Sequence, residues 1–293
     1  MSEITKRGGH QLVTPEKIEQ VEKAMLQLPQ AECPVVHRFG PGIYIREVSI
    51  TAGTFSIGHY QKQEHMNILL KGRVTMLNDD GSTVERVAPF IYVGKPGRKI
   101  GYIHEDMVWQ NIYATTETDV EKLEAMLLIK SDSWMENQNS KDRMDFIAHH
   151  VSRDDYRKLL VERGVTEVQA RAQSENESDQ IQLPHGGYKI MVAASPIDGK
   201  GLFSTAAFAA GEIIAPARIG GNRTIAGRFT NHSIAPNAKM VALPNSDINL
   251  VATRPIKGCH GGNPGEEITV DYRQALNSAL EADRNKRRIP CHQ

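Results

Sequence analysis

The sequence has little cysteine, no excess charge of either sign and no long apolar run, and each shortage excludes something. Three cysteines, Cys33, Cys259 and Cys291, stand far apart in 293 residues. They offer no disulfide framework and no Cys-x-x-Cys zinc site, so reduced thiols in a cytoplasmic setting are expected. Lys plus Arg equals Asp plus Glu, 35 against 35. A neutral chain has no bulk field to draw nucleic acid or an anionic membrane, and neither is expected as a partner. No apolar run approaches the roughly 20 residues of a spanning helix. The start, Met1 to Arg7, lacks the apolar core of a signal peptide. No internal repeat is visible. The length gives room for two ordinary domains.

Taken in order, the chain changes texture three times. Residues 1–33 form an N-terminal helical segment. Thr14-Pro15-Glu16 has the capping hydroxyl, early Pro and first-turn acid of a helix start, and Ile18, Val21, Met25 and Leu28 follow on one face until Pro29. From 34 to 130, short apolar runs are cut by Gly, Pro and Asn-Asp turns. Strands are expected at 42–50, 66–77, 91–93, 107–113 and 123–129, with Asn78 to Gly81 closing a hairpin. That spacing suggests a sandwich or jelly roll. Residues 131–180 are charged and helical, a connector. Ser152 to Asp155 reads as a capping box, the stripe Tyr156, Leu159 and Leu160 stops at Gly164, and Thr166 to Gln169 is a second box. The polar tract Gln173 to Gln180 is the best linker. No basic face accompanies these helices, so a structural connector is expected rather than a DNA reader.

Within the second region, Gly58-His59-Tyr-Gln61-Lys-Gln-Glu-His65 precedes a strand reaching Gly72, and Pro96-Gly97 follows. The pattern is similar to the two cupin motifs, in which two His and a Glu bind a metal. His59 aligns with the first His, but Gln61 stands at the second and His65 at the usual Glu. The His expected after Pro-Gly is absent, and His104 comes several residues too late. A Gln amide is a poor replacement for an imidazole ligand, so a cupin-like barrel without a bound metal is expected.

The region from 181 to 293 holds the densest stretch, Arg228-Phe-Thr-Asn-His-Ser-Ile-Ala-Pro-Asn237. Such a run makes many local hydrogen bonds and little core. By itself it is a polar loop. Two further blocks accompany it, Gly199-Lys-Gly-Leu-Phe203 before and Gly265-Glu-Glu-Ile-Thr-Val-Asp-Tyr272 after. In this order the three resemble the signature of the SET-domain protein lysine methyltransferases. The resemblance implies a mainly β chain with some α: a cupin-like jelly roll, a helical connector, and a compact SET-type β-fold with a pseudoknot. It also implies S-adenosylmethionine as cofactor, held by Gly199, Lys200 and Gly201, mostly through backbone, and by Asn231 and His232. Tyr272 takes the place of the catalytic Tyr. Arg228 and Phe229 organise the turn, while Ser233, Pro236 and Asn237 pin the loop through which the C-terminal segment threads. Glu267 is read as a buried hydrogen-bond partner and Glu266 as a surface residue.

The departures from the family pattern set a second reading beside the first. Between Glu212 and Arg228 only fifteen residues remain where the family carries a long insert. No second Tyr for the lysine channel is evident, and the segment after Tyr272 is a polar helix without a zinc-binding Cys triplet. The loop Lys257 to Pro264 is longer than in most relatives. The leading reading is methyl transfer to a lysine side chain of a protein substrate, with the cupin-like half serving recognition or self-association. The other is a non-catalytic structural or interaction protein that keeps the SET fold. The pairing of the two halves resembles phage- and prophage-encoded proteins, which implies the host cytoplasm or a virion.

Overall fold

The computed structural model describes residues 13–261 and 263–288, and within them the side chains outside 138–152. Helix α1 (Pro15–Met25) starts as its residues dictate, the Thr14 hydroxyl accepting from the Lys17 N–H at 3.4 Å. Its buried face differs from the apolar stripe. Glu22 is buried because Arg98 grips it with two bonds, one of 2.9 Å from Nη1 and a shorter one from Nη2. Val21 and Leu28 instead border an open cavity, 47% and 62% exposed.

The second region folds into β1 (Val35–Gly40), β2 (Ile43–Ile50), β3 (Phe55–Ile57), β4 (Tyr60–Gln61), β5 (His65–Leu77), β6 (Thr83–Val87), β7 (Phe90–Gly94) and β8 (Ile100–Ala114). The antiparallel order is β1-β2-β8-β5-β6, with β3 on β8 and β7 on β5. The Asn78 to Gly81 hairpin stands as expected, with Gly81 at φ +80°. Gly72 marks a bulge at φ +92°, where a Cβ would lie 2.6 Å from the Asp106 carbonyl. Across it the buried positions of β5 change from His65, Asn67 and Leu69 to Val74. The strand expected at 123–129 is instead α2 (Val120–Leu127). Asp119 caps it through the Glu121 and Lys122 N–H groups, and Val120, Leu123 and Leu127 are buried at helical spacing. Only β9 (Leu128–Ile129) is extended, paired with β4.

The connector is one 32-residue helix, α3 (Asp132–Arg163), followed by α4 (Glu167–Glu175). Its start is set by Ser131, whose hydroxyl accepts from the Trp134 N–H at 3.2 Å. The capping box read at Ser152 therefore starts nothing: the backbone is already helical there, and the Ser152 side chain lies outside the described residues. The stop at Gly164 (φ +65°) and the Thr166 box match expectation.

The remaining elements are β10 (Gly186–Tyr188), β11 (Ile190–Ala194), β12 (Lys200–Ser204), β13 (Ile213–Ile219), β14 (Asn222–Arg223), α5 (Ile225–Arg228), β15 (Asn231–His232), β16 (Ala238–Ala242), β17 (Ile248–Ala252), β18 (Thr269–Val270) and α6 (Tyr272–Arg288). A β14-β13-β17-β16 sheet, a β11-β12 hairpin and a parallel β15-β18 pair make this half mainly β. The segment into β18 runs between two others. Ile268 donates its N–H to Leu202 O at 2.7 Å on one side. On the other, Asn237 binds Glu267 O at 2.8 Å and the Thr269 N–H at 2.9 Å. Asn237, expected to pin the loop through which the C-terminal segment threads, here bonds directly to the segment into β18.

The two β regions meet directly. β10 pairs with β1, and Phe39, Tyr44 and Tyr113 share one buried cluster with Leu202, Leu250 and Ile268. The long loop at 257–264 ties down the chain before β1. Gly261 donates to Ala31 O at 2.7 Å, and the Cys259 thiol to Cys33 O at 2.9 Å. Burial pushes that thiol up to about 12, which keeps it protonated.

Candidate functional site

The β11-β12 hairpin closes with the Ser195 N–H on Gly199 O at 2.9 Å. Gly199 sits at φ +53° with open space around its missing Cβ. Gly201 is needed for a different reason, since a Cβ there would lie 2.3 Å from Glu267 Oε1. The Ser195 hydroxyl donates to that carboxylate at 2.8 Å. Asn231 reaches in from β15, its Nδ2 lying 2.8 Å from Glu267 Oε1, 3.0 Å from Ser195 Oγ and 3.2 Å from Lys200 O. A carbonyl and a carboxylate accept only, which fixes that atom as the nitrogen. Glu267 is thus the hydrogen-bond partner that was expected, although half-buried rather than buried. Glu266 is more than a surface group: it accepts from the Lys257 N–H at 2.8 Å and pairs with Arg254 at 2.8 Å. The Lys200 ammonium turns away to Glu121 on α2 and leaves its backbone at the turn.

His232, next along β15, is buried. Its Nδ1 accepts the Tyr272 N–H at 3.2 Å, so the ring proton lies on Nε2 and is donated to Asp155 Oδ2 at 3.0 Å. Arg273 Nη1 donates to the same oxygen at 2.7 Å. These bonds, the Arg273 one foremost, hold the Asp155 carboxyl below the usual carboxylate range. Tyr272 begins α6 and donates its O–H to Thr230 O at 3.1 Å. Its ring lies 5.2 Å from that of His232 and 5.8 Å from that of Tyr156, the latter edge-on at 82°. Burial, with the neighbouring Tyr156 and the Asp198 and Glu267 carboxylates, raises the Tyr272 phenol above its ordinary range. It is a neutral hydroxyl at physiological pH.

The structure therefore brings Gly199, Lys200, Gly201, Asn231, His232 and Tyr272 together. Sequence reasoning missed Asp155 and Tyr156, which α3 lays against His232 and Tyr272. A second tyrosine does stand beside Tyr272, supplied by the connector. The only trace in the sequence was the Asp-Asp-Tyr run at 154–156, read there as helix start and stripe.

The cupin-like residues are engaged differently. His65 donates from Nδ1 to Gln63 O at 2.9 Å, so its Nε2 is the acceptor for Lys99 Nζ at 2.8 Å and Asn111 Nδ2 at 3.0 Å. That lone pair is the one a metal would need, and an ammonium already faces it. His59 packs edge-on to Trp134 at 4.9 Å, and burial pushes it down to about 3. Gln61 accepts from the Tyr113 hydroxyl. Among the described residues no three His, Cys, Asp or Glu side chains gather in a way that could hold a metal ion. The set does not fit a transition metal.

Three solved structures similar to part of the chain are a RmlC-like cupin with a double-stranded β-helix fold from Methanocaldococcus jannaschii, a cupin-2 domain containing protein from Shewanella frigidimarina and a cupin domain from Bordetella pertussis. Identities are 16%, 12% and 14%, and TM-scores 0.25, 0.24 and 0.25. They cover 29%, 32% and 30% of this chain and 84%, 91% and 98% of their own. No curated protein matches the chain. The family model of the SET domain matches residues 216–273, a span that holds Asn231, His232, Glu267 and Tyr272 but not the glycine turn. The C-terminal region of this chain carries a SET domain.

Proposed function

We propose that the SET domain catalyses S-adenosylmethionine-dependent methyl transfer to the side-chain amine of a protein lysine. The observation that supports this most is the convergence on Asn231: one amide joins the glycine turn, the Glu267 carboxylate and the β15 strand that carries His232. The donor set suits a cationic cofactor. The carbonyl of Lys200 and the carboxylate of Glu267 surround the turn, and Asn231 Oδ1 accepts no hydrogen bond among the described residues. Gly199, Lys200 and Gly201 through backbone, with Asn231 and His232, would hold the cofactor. When bound, it supplies an electrophilic methyl group on a sulfonium.

The chain's own residues then have separate tasks. Asn231 orients by accepting from an ammonium. Tyr272, neutral and fixed by Thr230, offers a phenol oxygen dipole and cannot serve as a base. The proton lost by the lysine ammonium must therefore go to solvent before attack. Tyr156 and Tyr272 together exclude water from one side of the reacting centre. A protein substrate, a cytoplasmic setting and self-association through the barrel half belong to the same reading. Among the described residues no helix is long and apolar enough to cross a membrane.

One observation favours the non-catalytic reading: α3 covers His232 and Tyr272, and Arg273 locks it there through Asp155 and Glu162 at 2.7 and 3.3 Å. Calorimetric titration with S-adenosylmethionine separates the two. Binding by wild type, weakened at least about tenfold in Asn231→Ala, is expected, about 1.4 kcal/mol, the scale of one buried hydrogen bond. No heat at millimolar cofactor would remove the cofactor site and the enzyme reading together.

A further inference from the structure

A cavity of about 600 Å³, open on one side, lies in the barrel half, within the range of small-ligand sites. Most of its wall is apolar, including Val48, Ile50, Val74, Ile103 and Met107. Both tryptophans of the chain, Trp109 and Trp134, face it. Helix α1 covers its mouth, and the one carboxylate on its wall, Glu22, is spent on Arg98.

Two cations remain inside without an anion. Arg46 stands on β2 directly across from Asn111 on β8. Its buried Nε has no hydrogen-bond partner, and the guanidinium makes no ion pair among the described residues. Glu124, which lies with Arg46 around a smaller neighbouring void, is held by Lys130 at 2.8 Å. Lys99 donates only to the neutral His65, whose same nitrogen also receives Asn111. Arg46 and Lys99 thus both line the apolar chamber, Arg46 as the cross-strand neighbour of Asn111 and Lys99 on the same His65 nitrogen that Asn111 reaches. Both residues are half-buried, and a charge partly withdrawn from water without a counter-charge carries a cost that a ligand bringing the missing anion recovers.

We propose that the barrel binds a monocarboxylic acid with an aliphatic or aromatic body. Its carboxylate lies between Arg46 and Lys99, and its body lies against Trp109, Trp134 and the aliphatic wall. A neutral or cationic analogue leaves the two cations uncompensated and binds poorly. This site is independent of the methyl-transfer reading.

Because both tryptophans line the chamber, intrinsic fluorescence of the full chain reports occupancy directly. Decanoate and 2-naphthoate are titrated, with decanol and decylamine as controls, all below micelle-forming concentration. At least one acid should give a saturable change, with an affinity at least tenfold above that of both controls. Arg46→Gln and Lys99→Met should each weaken it at least tenfold while far-ultraviolet circular dichroism stays native. If Arg46→Gln does not fold, Lys99→Met decides by the same criterion. No saturable response to either acid, equal affinity for decanol, or wild-type affinity in the folded variants overturns the proposal.

Discussion

Tyr156 of the connector and Tyr272 of the SET domain meet edge to face, ring centroids 5.8 Å apart at 82°. A segment 116 positions earlier in the chain therefore forms a wall of the candidate site. Edge-to-face pairs contribute about 0.5–1.5 kcal/mol beyond their buried area. A double-mutant cycle between Tyr156→Ala and Tyr272→Ala, read by urea unfolding, should give a coupling of about 1 kcal/mol. Strict additivity would show that the rings do not support each other.

The two glycines of the turn should respond unequally to a methyl group. Gly199→Ala meets open space and only the left-handed backbone at φ +53°, a cost of about 1 kcal/mol. Gly201→Ala forces a carbon against the Glu267 carboxylate, 2.3 Å away in the present backbone, and should cost about 3 kcal/mol or fail to fold. Thermal unfolding of both variants checks the order. Equal losses would mean that the Glu267 contact is not tight.

Carboxylate binding in the barrel should depend on pH through Lys99. Burial pulls this ammonium down to about 8. The groups facing it do not change charge nearby: burial lowers both His65 and His59, which are neutral above pH 7, and Tyr113 is raised to about 12. A bound carboxylate favours the charged amine, so affinity is full below pH 8. It falls above that by up to about tenfold per unit. Titrations at pH 7 and 9.5 should show the fall in wild type and a flat profile in Lys99→Arg. A flat wild-type profile contradicts the role given to Lys99.

Much of the C-terminal site was legible because its chemistry is local. Asn231, His232 and Asn237 lie within seven positions, and each bonds to a residue that a neighbouring block supplies. The α2 segment was not legible: Leu123 to Ile129 is a short apolar run, and such a run fits a buried strand or helix equally until a cap decides. Here Asp119 decided. Asp155 and Tyr156 were hidden for another reason. Their partners, Arg273 and Tyr272, lie more than a hundred residues away, and helical periodicity says nothing about what a helix covers. The buried Glu22 escaped for the same reason, since only Arg98 on a distant loop makes its burial tolerable. The cavity cations show the converse. Nothing in the sequence singles out Lys99 and Arg46, and only the folded barrel places both on the wall of one chamber.

The most direct measurement is methyl transfer itself: incubation of the full chain with methyl-labelled S-adenosylmethionine and a proteome lacking this protein, followed by mass spectrometry of lysines. Methyl transfer at this site requires labelled lysine with wild type, its loss in Asn231→Ala, and a rate at least about tenfold lower in Tyr272→Phe at unchanged cofactor affinity. Cofactor bound by wild type with no lysine labelled in any protein, this chain included, would contradict it.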